Sequence, residues 1–262
     1  MSITSFDNPP LVRIQNLTKR FGSKPVLDNV SFEVKAGEFV ALLGSSGAGK
    51  TTLFRCLTRL IEADSGAIII AGKAVENIRG AELRVVRREI GLIFQQFNLV
   101  RRITALENVL GGRLAYIPTW RILLKSFSRA DRQLGLAALD RVGLLAQAYQ
   151  RADSLSGGQQ QRVAIARVLA QQSRIVLADE PVASLDPESA AIVLKTLREI
   201  AHERNIAVIC SLHQVNLAIE YADRVIGIKD GKIVADLPAP ELGNAEHNLI
   251  YRTLATEPVP QV

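Results

Sequence analysis

The chain has 262 residues, 48% of them hydrophobic and 22% charged, with a formal net charge of +6. That balance is ordinary for a soluble globular protein with a sizeable core. No apolar stretch approaches the roughly 20 residues that span a bilayer, and the first ten residues, ending Pro9-Pro10, lack the basic start and apolar run of a secretion signal. A cytosolic location is therefore expected, and the isolated Cys56 and Cys210 suit a reducing compartment.

From Leu11 to Lys35 apolar and polar residues alternate around turns, which predicts short antiparallel strands. Phe39–Leu43 then runs apolar without alternation, the pattern of a strand covered on both faces. It feeds a glycine loop, Gly44-Ser45-Ser46-Gly47-Ala48-Gly49-Lys50-Thr51, and a helix is predicted over Thr51–Leu60 from the spacing of Leu53, Phe54, Leu57 and Leu60. A second strand pair is predicted at Gly66–Ile70 and Ile90–Phe94. From Leu99 to about Gln161 the patterns are helical, as in Arg132–Val142, and a further amphipathic helix is predicted over Gln159–Ala170. Strands return at Ile175–Leu177, Val208–Ser211 and Val225–Lys229, alternating with helices over Glu188–Glu203 and Val215–Tyr221. Alternation of this kind predicts an α/β fold with a parallel, helix-covered sheet.

The glycine loop fits G-x-x-x-x-G-K-[ST], and its strand–loop–helix setting is the context such a match requires. Gly44, Gly47 and Gly49 let backbone N–H groups converge on a polyphosphate. Lys50 adds a charge for the outer phosphates, Thr51 a hydroxyl for Mg²⁺, and the helix N-terminus its dipole. Asp179 and Glu180 close an apolar strand, so both carboxylates are expected at the sheet edge beside the loop. Pleating predicts that the two point to opposite sides and do different work. Ser156 precedes a helix as a candidate N-cap, and Ser156-Gly157-Gly158 there also makes a bare anion site.

The glycine loop, then Leu155-Ser156-Gly157-Gly158-Gln159, then the strand ending Asp179-Glu180 together resemble the ATPase subunit of ABC transporters. The resemblance runs from about Leu11 to Leu242. It implies a P-loop NTPase fold of the ABC ATPase type. That fold has a RecA-like parallel-sheet core, an N-terminal antiparallel β-subdomain and an inserted helical subdomain. One domain is expected over residues 11–245: the core and β-subdomain at 11–97 and 163–245, the helical signature part at 98–162. Residues 1–10 and 246–262 are expected as terminal extensions.

Residue by residue, the resemblance implies ATP and Mg²⁺ as cofactors, with the P-loop through Thr52 around the phosphates. Asp179 would hold the Mg²⁺ shell together with Thr51 and Gln95, and Glu180 would polarise the attacking water. Gln95 matches the Q-loop position, with Gln96 the neighbouring candidate. Ser184-Leu185-Asp186 looks like the D-loop, and His213 like the switch histidine at the γ-phosphate. Phe21 resembles the aromatic that stacks on adenine, although Phe32 and Phe39 are similar residues nearby and core packing competes. Ser156, Gly157, Gly158 and Gln159 would close over the nucleotide held by a second copy, so a head-to-tail homodimer is implied.

Gly111–Arg121, Leu155–Arg162, Ala178–Pro187 and Leu212–Val215 closely resemble the ATP-binding subunits of bacterial phosphonate importers, with phosphite importers nearly alike. The partners implied are membrane permease subunits and, through them, a periplasmic substrate-binding protein, at the cytoplasmic face of the inner membrane. Tyr116 and Trp120 are candidate docking aromatics within the helical part. Import of another oxyanion or of polar amino acids is the alternative within transport. A soluble ABC-type ATPase acting on nucleic acid is a distant one, since the chain has one P-loop and no long coiled coil. No nucleic-acid partner is expected, because acidic residues are interspersed with the arginines.

Overall fold

The N-terminal alternation becomes a long hairpin in which β1 (Val12–Phe21) and β2 (Lys24–Val34) pair antiparallel. The computed structural model describes residues 9–118, 120–121 and 126–251. β3 (Phe39–Leu43) runs straight into the glycine loop, and the helix Lys50–Leu57 follows. That helix is shorter than its apolar spacing predicts. Arg59 takes a left-handed φ of 55° and Leu60 is 61% exposed, so Leu60 is not a fourth core position.

β4 (Ser65–Ile70) pairs with β1, and β5 (Lys73–Ala74) extends that sheet to the order β2-β1-β4-β5. β6 (Ile90–Phe94) does not pair with β4 as the sequence predicts. It joins a second sheet beside β7 (Ile175–Asp179). The burial patterns explain the separation. In β4, Ile68 and Ile70 are buried while Ile69 is only partly so, the mark of a sheet with one covered face. β6 is apolar nearly throughout and needs cover on both faces.

The second sheet also holds β8 (Ala207–Leu212), β9 (Arg224–Lys229) and β10 (Lys232–Pro238), in the order β10-β9-β3-β8-β7-β6. Its pairs are parallel except β9 with β10, an antiparallel edge that the sequence reading misses. Pleating divides the core across β3. Phe39, Ala41 and Leu43 face the helices Ala105–Leu110, Arg129–Arg141, Gly157–Gln171 and Pro187–Arg204. Val40 and Leu42 face the helix Lys50–Leu57 and the antiparallel sheet. Burying both faces of one strand in this way gives the sheet its central place, since each fully buried Leu or Phe contributes about 1.5–3 kcal/mol.

Packing continues beyond residue 245, where a terminal extension is expected. The helix Asn244–Tyr251 buries Ile250 against Gly227, where an added Cβ would stand 2.6 Å from the Ile250 side chain. The Pro-Val-Pro tail, residues 1–8 and Thr119 lie outside the described residues. No helix among the described residues is long and apolar enough to cross a membrane.

Candidate functional site

Strand register gathers the site. Phe94 lies beside Asp179, Asp179 beside Ser211, Leu42 beside Ser211 and Leu43 beside Leu212. The chain therefore leaves β6 at Gln95, β7 at Glu180, β8 at His213 and β3 at Gly44, all at one sheet edge. This is the carboxyl edge of a parallel sheet, where ligands of α/β folds bind.

The glycine loop wraps the start of the helix Lys50–Leu57, whose N-cap is Gly49 at φ 109°. A Cβ there would stand 2.6 Å from the carbonyl of Val26, so only glycine lets the loop close this tightly. At Gly47, φ is 81° and an added Cβ would meet nothing within 4 Å, so this stretch of backbone faces an open cradle. Lys50 is buried, and its ammonium donates to the carbonyls of Gly44 (2.6 Å) and Ser45 (3.2 Å). Burial pulls its pKa below the ordinary lysine value, while the charges of Glu180 and Asp179 oppose that shift. Two adjoining hollows of about 190 and 290 Å³ share Thr51 and Glu180. The first is lined by Ser45 to Thr52, the second by Gln95, Gln96, Asn98 and Asp179.

Asp179 and Glu180 diverge, though not by the pleat. Glu180 has a left-handed φ of 49°, so the chain turns out of the strand at that residue. Such a conformation costs a non-glycine residue about 1–2 kcal/mol and is typical of functional positions. Asp179 accepts from the Thr51 hydroxyl at 3.0 Å and from the Ser211 hydroxyl at 2.8 Å. Glu180 meets His213, with Nε2 to Oε1 at 2.6 Å. The Glu180 amide donates to Ser211 Oγ at 2.8 Å. Ser211 is the residue that sequence reasoning misses. A lone hydroxyl in the apolar run Val208-Ile209-Cys210-Ser211-Leu212 is the signal that could have found it.

Gln95 and Gln96 are both exposed and both line the second hollow, so the geometry does not choose between them. The loop after them turns through Phe97 and Asn98 at φ 58° and 47°. Arg167, from the helix Gly157–Gln171, donates to the carbonyls of Asn98 (2.6 Å) and Phe97 (3.3 Å) and ties that helix to the loop. Burial lowers the pKa of its guanidinium. Phe21 is 53% exposed with the Lys19 ammonium 5.6 Å from its ring centroid, whereas Phe32 and Phe39 are buried.

Ser156 caps the helix Gly157–Gln171 in a capping box with Gln159. An added Cβ at Gly158 would collide with Ser189, and one at Gly157 would touch Leu185 and Phe97. Asp186 caps the helix Pro187–Arg204 by accepting from the Ser189 amide at 2.9 Å, which with the Ser189 hydroxyl holds its carboxyl below the usual range. Neither Ser156 to Gln159 nor Asp186 lines the two hollows of its own chain. Tyr116 is less free than an exposed docking aromatic should be. Its hydroxyl donates to the Gln171 carbonyl at 3.0 Å, and the Arg113 guanidinium lies 4.3 Å from its ring centroid. Trp120 is 60% exposed.

Residues 27–183 match the family described as ABC transporter. A hypophosphite import ATP-binding protein of Stutzerimonas stutzeri is 52% identical over 93% of this chain and 72% of its own length. A phosphonates import ATP-binding protein of Frankia casuarinae is also 52% identical, over 92% of this chain and 96% of its own. Among solved structures, an ATP-binding cassette captured as a dimer in a post-hydrolysis state with ADP and Pi is 34% identical. It superposes with a TM-score of 0.73, covering 87% of this chain and 98% of that one. Sequence, fold and the strand-edge cleft agree: the chain has the architecture of the ATP-binding cassettes and belongs to the ABC transporter family.

Proposed function

We propose that the chain is the ATP-binding and ATP-hydrolysing subunit of a bacterial ABC importer of phosphonates. For the substrate, the observation that carries this reading is the 52% identity to a phosphonates import protein along nearly the whole of both chains. For the chemistry, it is the meeting of Lys50, Thr51, Asp179, Glu180 and His213 at one sheet edge.

The glycine loop presents backbone N–H groups to the β- and γ-phosphates of ATP, and Lys50 exchanges its carbonyl contacts for phosphate oxygens. Thr51 and Asp179 are neighbouring oxygen donors, the ligand type that Mg²⁺ takes when it is shared with phosphates; Gln95 reaches the same place. Mg²⁺, when bound, neutralises charge on the phosphates and aligns them. Glu180 orients and polarises the attacking water, whose oxygen bonds to the γ-phosphorus as the bond to the β–γ bridging oxygen breaks. His213 holds Glu180 and reaches the γ-phosphate, and Phe21 stacks on adenine.

Ser156 to Gln159 complete the site of a second copy in a head-to-tail dimer, with Asp186 crossing between the two. That assignment is supported by their separation from the hollows of their own chain. Permease subunits dock on the helical part, and a periplasmic binding protein delivers substrate to them. The protein works at the cytoplasmic face of the inner membrane. A second reading, import of hypophosphite, has an observation in its favour, the equal identity to the hypophosphite protein. Growth of a gene-deletion strain on a phosphonate, hypophosphite or phosphate as sole phosphorus source tests both readings. Loss of growth on the phosphonate alone supports the first, loss on hypophosphite alone the second, and normal growth on each removes both.

A further inference from the structure

The helix Asn244–Tyr251 ends beside the nucleotide cleft. Ile250 anchors it against Gly227. The next carbonyl along β9, that of Ile228, lies 2.4 Å from where a Cβ on Gly44 would stand. The Tyr251 hydroxyl donates to the main-chain oxygen of His213 at 3.2 Å. Burial pushes the phenol's pKa up, and the nearby backbone amide of Gly44 acts against that shift. One helical turn back, the His247 ring lies against the phenol ring, with centroids 5.1 Å apart. Tyr251 thus stands near one part of the site and is hydrogen-bonded to another. These are the first residue of the phosphate loop and the backbone of the residue whose imidazole holds Glu180 at 2.6 Å.

The choice of atom matters. His213 lies in the short connection between β8 and the helix Val215–Tyr221, outside regular structure. A peptide held by its oxygen fixes the direction in which its own side chain leaves, while the imidazole stays free for Glu180. A tyrosine can do this at low entropic cost, because only two side-chain torsions are ordered.

We propose that Tyr251 is a positioning residue for ATP hydrolysis. Its hydroxyl ties the His213 peptide to the C-terminal helix, which Ile250 anchors on β9, and so aims the imidazole at Glu180 and the γ-phosphate. The inference rests on the ATPase reading above and adds a role for the C-terminal helix.

The test is steady-state ATPase activity of the full chain for the wild type, Tyr251→Phe, His213→Gln and the double variant, with melting temperatures alongside. Tyr251→Phe should lower kcat by about 3- to 10-fold, the range a neutral hydrogen bond of ordinary strength carries. KM for ATP should stay within about two-fold, and the melting temperature should fall by no more than the loss of one hydrogen bond accounts for, about 2–4 °C. Leu249→Ala, on the same helix and 55% exposed, should leave the rate unchanged. In the His213→Gln background, Tyr251→Phe should cost nothing further, because the group it aims is gone. Three results would each overturn the proposal: an equal loss in both backgrounds, a wild-type kcat for Tyr251→Phe, or a lowered melting temperature with kcat intact. A different failure belongs to the underlying reading. Wild-type protein without ATP turnover, or His213→Gln at the wild-type rate, removes the role assigned to His213 and the proposal with it.

Discussion

Thr51 and Asp179 stand 128 residues apart in sequence and are joined by a 3.0 Å hydrogen bond, with Ser211 bracing the other Asp179 oxygen at 2.8 Å. Ser211 also accepts from the Glu180 amide, so one fully buried hydroxyl fixes the carboxylate proposed for the metal and the backbone of the carboxylate proposed for water. Ser211→Ala leaves that amide without its acceptor and should cost about 1–3 kcal/mol. Denaturant unfolding measures that loss. ATPase activity titrated with Mg²⁺ should show a higher requirement for the ion. A variant of unchanged stability and unchanged Mg²⁺ dependence would show that the brace has no role.

Lys50→Ala removes the charge from the phosphate cradle. ATP binding should collapse and turnover should fall by about 10²–10³-fold. The lysine also sets an alkaline limit. Its pKa lies below the ordinary value because of burial, and bound phosphates favour its protonated form. Affinity for ATP should therefore be greatest on the acid side of that lowered pKa. It should be lost as the pH rises through that lowered pKa, earlier than an exposed lysine would allow. Nucleotide titrations between neutral pH and about pH 10 read this directly. In Lys50→Arg, whose side chain stays charged throughout, whatever affinity remains should be flat over the same range.

Glu180→Gln keeps the shape of the side chain and removes its negative charge. The variant should bind ATP without hydrolysing it and accumulate as a closed dimer in MgATP, visible by sedimentation. A variant that turns over ATP at the wild-type rate and stays monomeric would remove both the water-polarising role and the sandwich.

Ser156→Arg puts a bulky cation at the helix N-terminus proposed to meet the second copy's nucleotide. It also removes an N-cap, at a cost of about 1 kcal/mol. Binding of ATP by the monomer should survive and hydrolysis should fail. Mixed with Lys50→Ala subunits, it should regain activity, because one of the two composite sites then has an intact loop and an intact signature. Failure to regain activity in a proven heterodimer would contradict the trans arrangement.

Trp120 is the freer of the two aromatics in the segment proposed to face the permease, since Tyr116 is held by Gln171 and Arg113. Trp120→Ala should weaken assembly with the membrane subunits by about 1–3 kcal/mol. ATP affinity of the isolated chain should be unchanged. Binding titrations with the reconstituted permease separate the two effects, and normal assembly would remove the docking role alone.

Much of this protein is determined within short windows of sequence. The glycine loop, the capping serine of the signature helix and the apolar strand ending Asp179-Glu180 depend on residues a few positions apart. Local backbone rules act at that range: glycine at left-handed φ, a hydroxyl at an N-cap, an unbroken apolar run for a strand covered on both faces. Tertiary structure decided what depends on pairing between distant segments. It separated β6 from β4, because one-faced and two-faced strands need different cover. It left Phe21 exposed where Phe32 and Phe39 are buried, although all three look alike in the sequence. It set Asp179 beside Ser211 through the register of β7 and β8, and brought Tyr251 to His213 across 38 residues. Register and docking are free-energy comparisons over whole sheets and cores, and no short window of sequence contains the competing arrangements.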